Sequence, residues 1–121
     1  MRIRTTAEPI ARSLLGLVMG TALLHAPAWG ESGNPDKGQA VFVKNCSQCH
    51  GARGKGDGPL AESLSVKPAD LTSEKVMHAS DEALLNAIRN GKPGTAMPAW
   101  KGDLSDQAIL DVLAYARTLS H

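Results

Sequence analysis

Apolar side chains recur at the helical period in two segments of this 121-residue chain. Within each segment the apolar positions share one face of a helix. They are Ala83, Leu84, Ala87 and Ile88 in the first segment, and Ile109, Val112, Leu113 and Ala116 in the second. No stretch alternates apolar and polar residues as a half-buried strand does. The pattern therefore predicts a small all-α protein with long loops.

Residues that cap helices mark the ends of these segments. Ser80 and Ser105 stand where an N-cap side chain accepts a backbone hydrogen bond, and Gly91 ends the first of the two helices. A further helix is predicted over residues 35–44, because Asn34 precedes a proline at the first helical position. These signals predict three principal helices.

Glycine and proline divide the remainder of the chain. Residues 51–58 contain four glycines, and residues 91–103 are rich in glycine and proline, so both stretches are predicted loops. A short helix is predicted over residues 59–64 between these loops, and Pro68 interrupts the chain after it.

The first 30 residues have the pattern of a secretory signal peptide. Three arginines precede an apolar run over residues 14–24, and the small residues at 26–28 supply a cleavage site. The alternative, a membrane anchor, needs about 20 apolar residues, roughly twice the length of this run. We therefore predict cleavage near Ala28 or Gly30, export to the periplasm and a single domain over residues 31–121.

The predicted domain has a balanced charge and few aromatic side chains. Ten basic residues stand against eleven acidic ones in residues 31–121, a net charge of −1. This leaves no basic surface for nucleic acid or for anionic lipid. Its aromatic residues are Phe42, Trp100 and Tyr115. Since aromatic side chains usually supply much of a core, another apolar group is expected to fill part of this one.

The two cysteines, Cys46 and Cys49, come directly before His50 in the sequence CSQCH. A disulfide over so short a loop stabilises a protein little, and a thioredoxin-like dithiol needs a βαβ unit that the pattern lacks. A structural zinc site needs four ligands, and the other histidines are scattered. Two thiols separated by two residues and followed by histidine are the pattern of c-type haem attachment. We predict one haem c, bound through both cysteines, with His50 as an iron ligand.

A second iron ligand is predicted in the loop before the last helix. Met97 lies in the sequence GTAMPAW, where Pro98 stiffens the backbone. Methionine with histidine is the ligand pair of electron-transfer haems. The alternatives are Met77 and His78, just before a helix cap, and His121, while a methionine can also serve only to fill the core.

These motifs resemble those of the class I c-type cytochromes and of soluble bacterial haem-c domains. The resemblance runs from Gly38 to Leu119 and includes CSQCH, GDGP followed by KPADL, and the MP loop. It implies a small cytochrome c fold, with about four to five helices wrapped around one haem. In that fold Gly38 and Phe42 of the first helix cross the last helix at Tyr115.

The resemblance also implies roles for residues beyond the ligands. Pro59 matches the proline whose carbonyl accepts a hydrogen bond from the ligand histidine. Trp100 is expected to pack at the haem edge with its indole N–H toward a propionate, the alternative being an aromatic residue without a haem role. Arg89 is either another propionate partner or a solvated side chain.

The implied function is electron transfer in the periplasm, without chemical transformation of a substrate. The partners would be redox proteins that donate and accept single electrons. The protein itself would be a monomer that binds them in transient complexes. No membrane insertion is expected after the signal peptide is removed. Two alternatives stay open: a dedicated haem subunit of a larger oxidoreductase, and a haem enzyme or ligand-binding protein with an open iron site.

Overall fold

The structure is a computed structural model that describes residues 16, 20 and 32–120. The predicted signal peptide over residues 1–30, with its cleavage site, lies outside the described residues except for Gly16 and Gly20. His121 lies outside them as well. The predictions made for that part of the chain stay predictions.

Residues 32–120 form five α-helices and one 3₁₀ turn. The helices are α1 (Pro35–Asn45), α2 (Ser47–His50), α3 (Glu74–Met77), α4 (Asp81–Asn90) and α5 (Asp106–Thr118), and the 3₁₀ turn (Ala61–Ser63) lies between α2 and α3. Apart from an isolated bridge between Lys101 and Leu104, this part of the chain contains no β-structure. The all-α prediction is confirmed.

The predicted caps begin the three longer helices. The Asn34 side chain accepts hydrogen bonds from the amides of the second and third residues after it, at 3.0 and 3.2 Å. Ser80 and Ser105 each accept one, at 3.1 Å, from the amide three residues further on. Gly91 ends α4 with a φ of 69°, a conformation that favours glycine. The predicted limits of these helices are thus confirmed by the hydrogen bonds that cause them.

The short elements between α1 and α4 follow the sequence pattern less closely. The motif CSQCH follows α1 directly: Cys46 is the C-cap of that helix, and the last four residues of the motif form the separate turn α2. The helix predicted over residues 59–64 is only the 3₁₀ turn. The hydrophobic pattern does not reveal α3, whose signal is its cap: the Ser73 side chain accepts a hydrogen bond from the amide of Val76 at 3.4 Å.

Helices α1 and α5 cross at a glycine. Gly38 is buried in α1, and a Cβ atom on it would collide with the backbone carbonyl of Asp111 in α5. Beside this crossing the rings of Phe42 and Tyr115 lie 5.3 Å apart, centroid to centroid, at an interplanar angle of 56°. Tilted aromatic pairs at this distance attract one another. The crossing that the family resemblance implies is confirmed, and the two helices approach closely at Gly38.

The fully buried core is small. Among the described residues it consists of five apolar side chains and one carboxylate: Phe42, Ala61, Ile109, Val112, Leu113 and Asp111. No residue of α4 is fully buried, although its apolar residues share one face. That face is therefore only partly covered by the other described residues. Within residues 32–120, no helix has the length and apolarity to cross a membrane.

Candidate functional site

A cleft of about 680 Å³ lies against the apolar face of α4. Its volume falls in the range of roughly 300–1,000 Å³ that cofactor and small-molecule sites occupy. Apolar side chains form most of its wall: Phe42, Leu64, Leu71, Val76, Leu84, Ala87, Ile88, Leu104, Val112 and Leu113. Val66 and Met77 also line it, with 46% and 42% of their surface exposed. Such a wall needs an apolar group to cover it.

Both cysteines of CSQCH line this cleft. Cys46 ends α1 and Cys49 lies in α2, so the two half-buried thiols are three residues apart along one helical turn. Burial, with a smaller contribution from Cys49, raises the pKa of the Cys46 thiol to about 11. The reactive cysteine of a redox dithiol has a lowered pKa. The environment of Cys46 therefore argues against that alternative.

His50, the last residue of α2, also lines the cleft. Its Nδ1 donates a hydrogen bond to the backbone carbonyl of Ala69 at 3.0 Å. A carbonyl can only accept, so this contact places the ring proton on Nδ1 and leaves the lone pair of Nε2 free. An imidazole oriented in this way is prepared to bind a metal through Nε2.

The prediction that Pro59 supplies this carbonyl is wrong. Pro59 is exposed and does not line the cleft. Its neighbours are held against α2 instead, since the amide of Leu60 donates to the carbonyl of Gln48 at 2.9 Å. Ala69 reaches His50 because Gly56 has no side chain: a Cβ there would lie 2.5 Å from the carbonyl oxygen of Pro68.

The structure brings two methionines to the cleft. Met97 and Met77 both line it, and Met97 is the more buried of the two. His78, the other alternative near α3, is exposed and does not line the cleft. Met97 lies in the loop between α4 and α5, as the sequence indicates, and its amide and carbonyl are both hydrogen-bonded within that loop.

Of the two residues expected near the haem edge, Trp100 lines the cleft and Arg89 does not. The backbone amide of Trp100 donates to the carbonyl of Ile88 at 3.0 Å, which holds the loop against α4. Arg89 does not line the cleft. Its guanidinium lies 3.8 Å from the carboxylate of Asp106, so Arg89 joins α4 to α5 on another side and does not serve the cleft.

Arg117 is a residue of the cleft that the sequence analysis missed. It lines the cleft from α5, and its guanidinium makes five hydrogen bonds to the segment from Val76 to Asp81. Three of the acceptors are backbone carbonyls, those of Val76, Met77 and Ala79. Every residue has a backbone carbonyl, so the sequence does not show which carbonyls will accept a hydrogen bond. The only signal for Arg117 was an arginine on the last helix.

No Asp or Glu lines the cleft, whereas four basic side chains do: Lys67, Lys75, Lys92 and Arg117. A haem has an apolar porphyrin ring, two propionates and an iron, and in its c-type form it has two bonds to cysteine. The cleft offers a partner for each part: an apolar wall for the ring and basic residues for the propionates. It also offers His50 and the methionines for the iron, and two thiols for the covalent bonds. Across residues 32–120, no group of three or more His, Cys, Asp or Glu side chains is arranged to hold a metal ion, as the zinc alternative would require. The residues present fit a c-type haem.

Comparison with known proteins agrees with this fit. The protein family described as "Cytochrome C oxidase, cbb3-type, subunit III" matches residues 33–115. The "Cbb3-type cytochrome c oxidase subunit FixP" of Bradyrhizobium diazoefficiens is 37% identical over 84 residues, which are 69% of this chain but 27% of FixP. The "Cytochrome c6" of Nostoc sp. is 36% identical over 102 residues, 84% of each chain.

A solved structure has the same fold. It is a c-type cytochrome that superimposes with a TM-score of 0.59 at 22% sequence identity. The match covers 69% of this chain and 98% of the cytochrome. At this level of identity the likeness concerns the arrangement of the helices, which is the small haem-wrapping fold that the resemblance in sequence implies.

Proposed function

Because this chain belongs to the family of c-type cytochrome domains described as "Cytochrome C oxidase, cbb3-type, subunit III", we propose that it carries single electrons in the periplasm through one haem c held between His50 and Met97. Domains of this family transfer electrons and bind their haem covalently. One observation carries the proposal: Cys46, Cys49, His50 and Met97 line the same apolar cleft.

Each of these four side chains has its own task in the proposal. The thiols of Cys46 and Cys49 form the two thioether bonds that keep the cofactor in place. Nε2 of His50 binds the iron, and the hydrogen bond from Nδ1 to the carbonyl of Ala69 holds the ring in orientation. The thioether of Met97 is the second ligand. When bound, haem c supplies a one-electron couple between ferric and ferrous iron.

The wall of the cleft supports electron transfer more than catalysis on a substrate. Apolar side chains from α4 and α5, among them Leu84, Ile88 and Val112, exclude water from the site. A water-poor site with both iron positions taken by protein side chains favours the reduced state and leaves no place for a substrate. The haem enzyme with an open iron site, the second alternative from the sequence, needs Met97 to stay unbound.

The similarity to a cytochrome c6 supports the proposal of a free carrier. The chain covers only 27% of FixP, so it matches one part of that oxidase subunit. In contrast it covers 84% of a cytochrome c6. From the signal-peptide pattern we propose that a domain over residues 31–121 is released into the periplasm after cleavage near residue 28 or 30, and that it meets its redox partners in transient complexes.

The two methionines of the cleft allow a matched test of the ligand. Met97→Ala and Met77→Ala remove the same side chain from the same cleft. In Met97→Ala we expect the ferric charge-transfer band of the methionine–iron bond to disappear and the ferrous protein to bind carbon monoxide, with haem still attached. Met77→Ala should keep the band. The reverse result would make Met77 the ligand, and carbon monoxide binding to the unaltered protein would support an open iron site.

The free-carrier proposal has its own test. A native periplasmic extract is passed through a size-exclusion column while haem absorbance is followed. We expect the haem of this protein to elute at the size of a small monomer, and intact mass to place the mature N-terminus after residue 28 or 30. Co-elution with a large enzyme would favour the dedicated subunit instead.

A further inference from the structure

The loop that carries Met97 is closed by a tight turn. The amide of Thr95 donates to the carbonyl of Lys92 at 3.2 Å. Pro93 and Gly94 are the two central residues, and Gly94 has a φ of 79°. This is the arrangement of a type II turn, which favours proline first and glycine second. The turn is exposed and has little packing around it, so hydrogen bonds within the loop have to stabilise it.

The hydroxyl of Thr95 connects this turn to Met97. Its Oγ1 donates to the carbonyl of Lys92 at 2.7 Å and accepts from the amide of Met97 at 3.2 Å. The carbonyl of Met97 in turn accepts from the amide of Lys92 at 3.2 Å. Both backbone polar groups of Met97 are therefore engaged. Among the described residues, Thr95 makes the only side-chain hydrogen bonds to residues 91–99.

Gly91 supports Met97 from the other side. A Cβ on Gly91 would lie 2.7 Å from the carbonyl oxygen of Met97 and 2.8 Å from the amide nitrogen of Ala99. The backbone at Met97 thus rests directly on the end of α4. The backbone of Met97 is therefore held by packing against Gly91 and by the hydroxyl of Thr95. Loss of that hydroxyl removes the second of these contacts and leaves the packing in place.

We propose that Thr95 is a positioning residue, whose hydroxyl holds the backbone of Met97 so that the thioether stays in the cleft and resists displacement by another ligand. This rests on the proposed coordination by Met97. Removal of the hydroxyl leaves the amide of Met97 without its partner, so the closed loop loses stability relative to an open one. An added ligand that competes with Met97 then binds more tightly, because less free energy is needed to open the loop.

The test measures imidazole binding to the ferric holoprotein, followed by the loss of the methionine charge-transfer band. Thr95→Val removes the hydroxyl at nearly constant shape, and Thr95→Ser keeps it. Thr118→Val is the matched control, since Thr118 also donates to a backbone carbonyl, that of Tyr115 at 2.6 Å, and does not line the cleft. Met97→Ala is the reference in which no methionine has to leave.

We expect Thr95→Val to raise the imidazole affinity about fivefold, the factor that corresponds to one hydrogen bond of about 1 kcal/mol. Thr95→Ser and Thr118→Val should stay within about twofold of the unaltered protein. The proposal is overturned if Thr95→Val binds imidazole as the unaltered protein does, if Thr95→Ser changes as much as Thr95→Val, or if Thr118→Val has the same effect. If Met97→Ala itself keeps the band and the original affinity, the coordination by Met97 fails, independently of Thr95.

Discussion

The carboxylate of Asp81 accepts two hydrogen bonds from Arg117, from Nε at 3.0 Å and from Nη2 at 2.7 Å. The same guanidinium donates to two carbonyls at the end of α3 and to one just after it, so a single side chain of α5 fastens this wall of the cleft. Hydrogen bonds from a charged donor are worth more than neutral ones. The ion pair itself adds little, since 71% of the Asp81 side chain is exposed.

Loss of this clamp should open one wall of the cleft. Arg117→Lys keeps the charge but not the planar group that reaches four acceptor residues. We expect a loss of about 2 kcal/mol in the free energy of unfolding, with faster hydrogen exchange at residues 76–81. Arg89→Lys is the control, because the Arg89–Asp106 pair is long, at 3.8 Å, and exposed. Equal losses in both variants, measured by denaturant titration, would contradict the clamp.

The close crossing of α1 and α5 predicts that a side chain added at Gly38 lowers the stability of the protein, although the same change stabilises an isolated helix. Gly38→Ala should stabilise an isolated helix by about 0.5–1 kcal/mol. In this protein the added Cβ meets the carbonyl of Asp111, which cannot move without shifting α5. We expect a net destabilisation of about 2 kcal/mol, as for overpacked cores, by chemical denaturation of the holoprotein. A gain in stability would show that the helices do not approach so closely.

Asp111 predicts how stability depends on acid. The buried carboxylate accepts hydrogen bonds from the amide of Asn34 at 2.7 Å and from Gln107 Nε2 at 2.8 Å, and these hold its pKa below the usual range. A lowered pKa in the folded state adds stability that is present above the unfolded-state pKa, about 3.9, and is lost as the pH falls through the folded value.

Asp111→Asn should therefore be less stable than the unaltered protein at neutral pH, by about 1 kcal/mol, because the neutral amide accepts the same two bonds more weakly. The difference should shrink below about pH 4 as Asp111 takes up its proton. Unfolding curves at a series of pH values measure it. A difference that stays constant from neutral pH to strong acid would mean that the charge of Asp111 contributes nothing.

The contact between His50 and Ala69 predicts a shift in reduction potential. In Gly56→Ala the added Cβ would collide with the Pro68–Ala69 backbone. We expect this to displace the Ala69 carbonyl and to weaken its hydrogen bond with Nδ1 of His50. The imidazole then becomes a weaker donor to the iron, which favours the reduced form. We expect a higher potential with the methionine band retained. Gly102→Ala is the control: Gly102 also has a positive φ, 106°, but nothing within 4 Å of an added Cβ. Equal shifts in both variants would point to backbone strain instead.

The helices were predictable because their causes are local. Asn34, Ser80 and Ser105 cap their helices through amides two or three residues away, and the apolar faces of α4 and α5 follow from spacing alone. The prediction was poorer where the chain is held by distant partners. The segment over residues 59–64, for example, lies against α2 through a bond from Leu60 to Gln48, so its own helix signal is only partly realised.

By itself the sequence determined the all-α class and the cofactor, because spacing and the CSQCH motif act over a few residues or name their chemistry by residue type. The crossing at Gly38 followed from the resemblance to a known family and not from local pattern. Only the tertiary structure decided which carbonyl meets His50, that Met97 and Met77 share one cleft, and that Arg117 closes its wall. Those contacts run between backbone groups and side chains 19 to 41 residues apart, or depend on the path of loops. A backbone carbonyl is the same in every residue, so its partner is selected by the fold and not by the sequence around it.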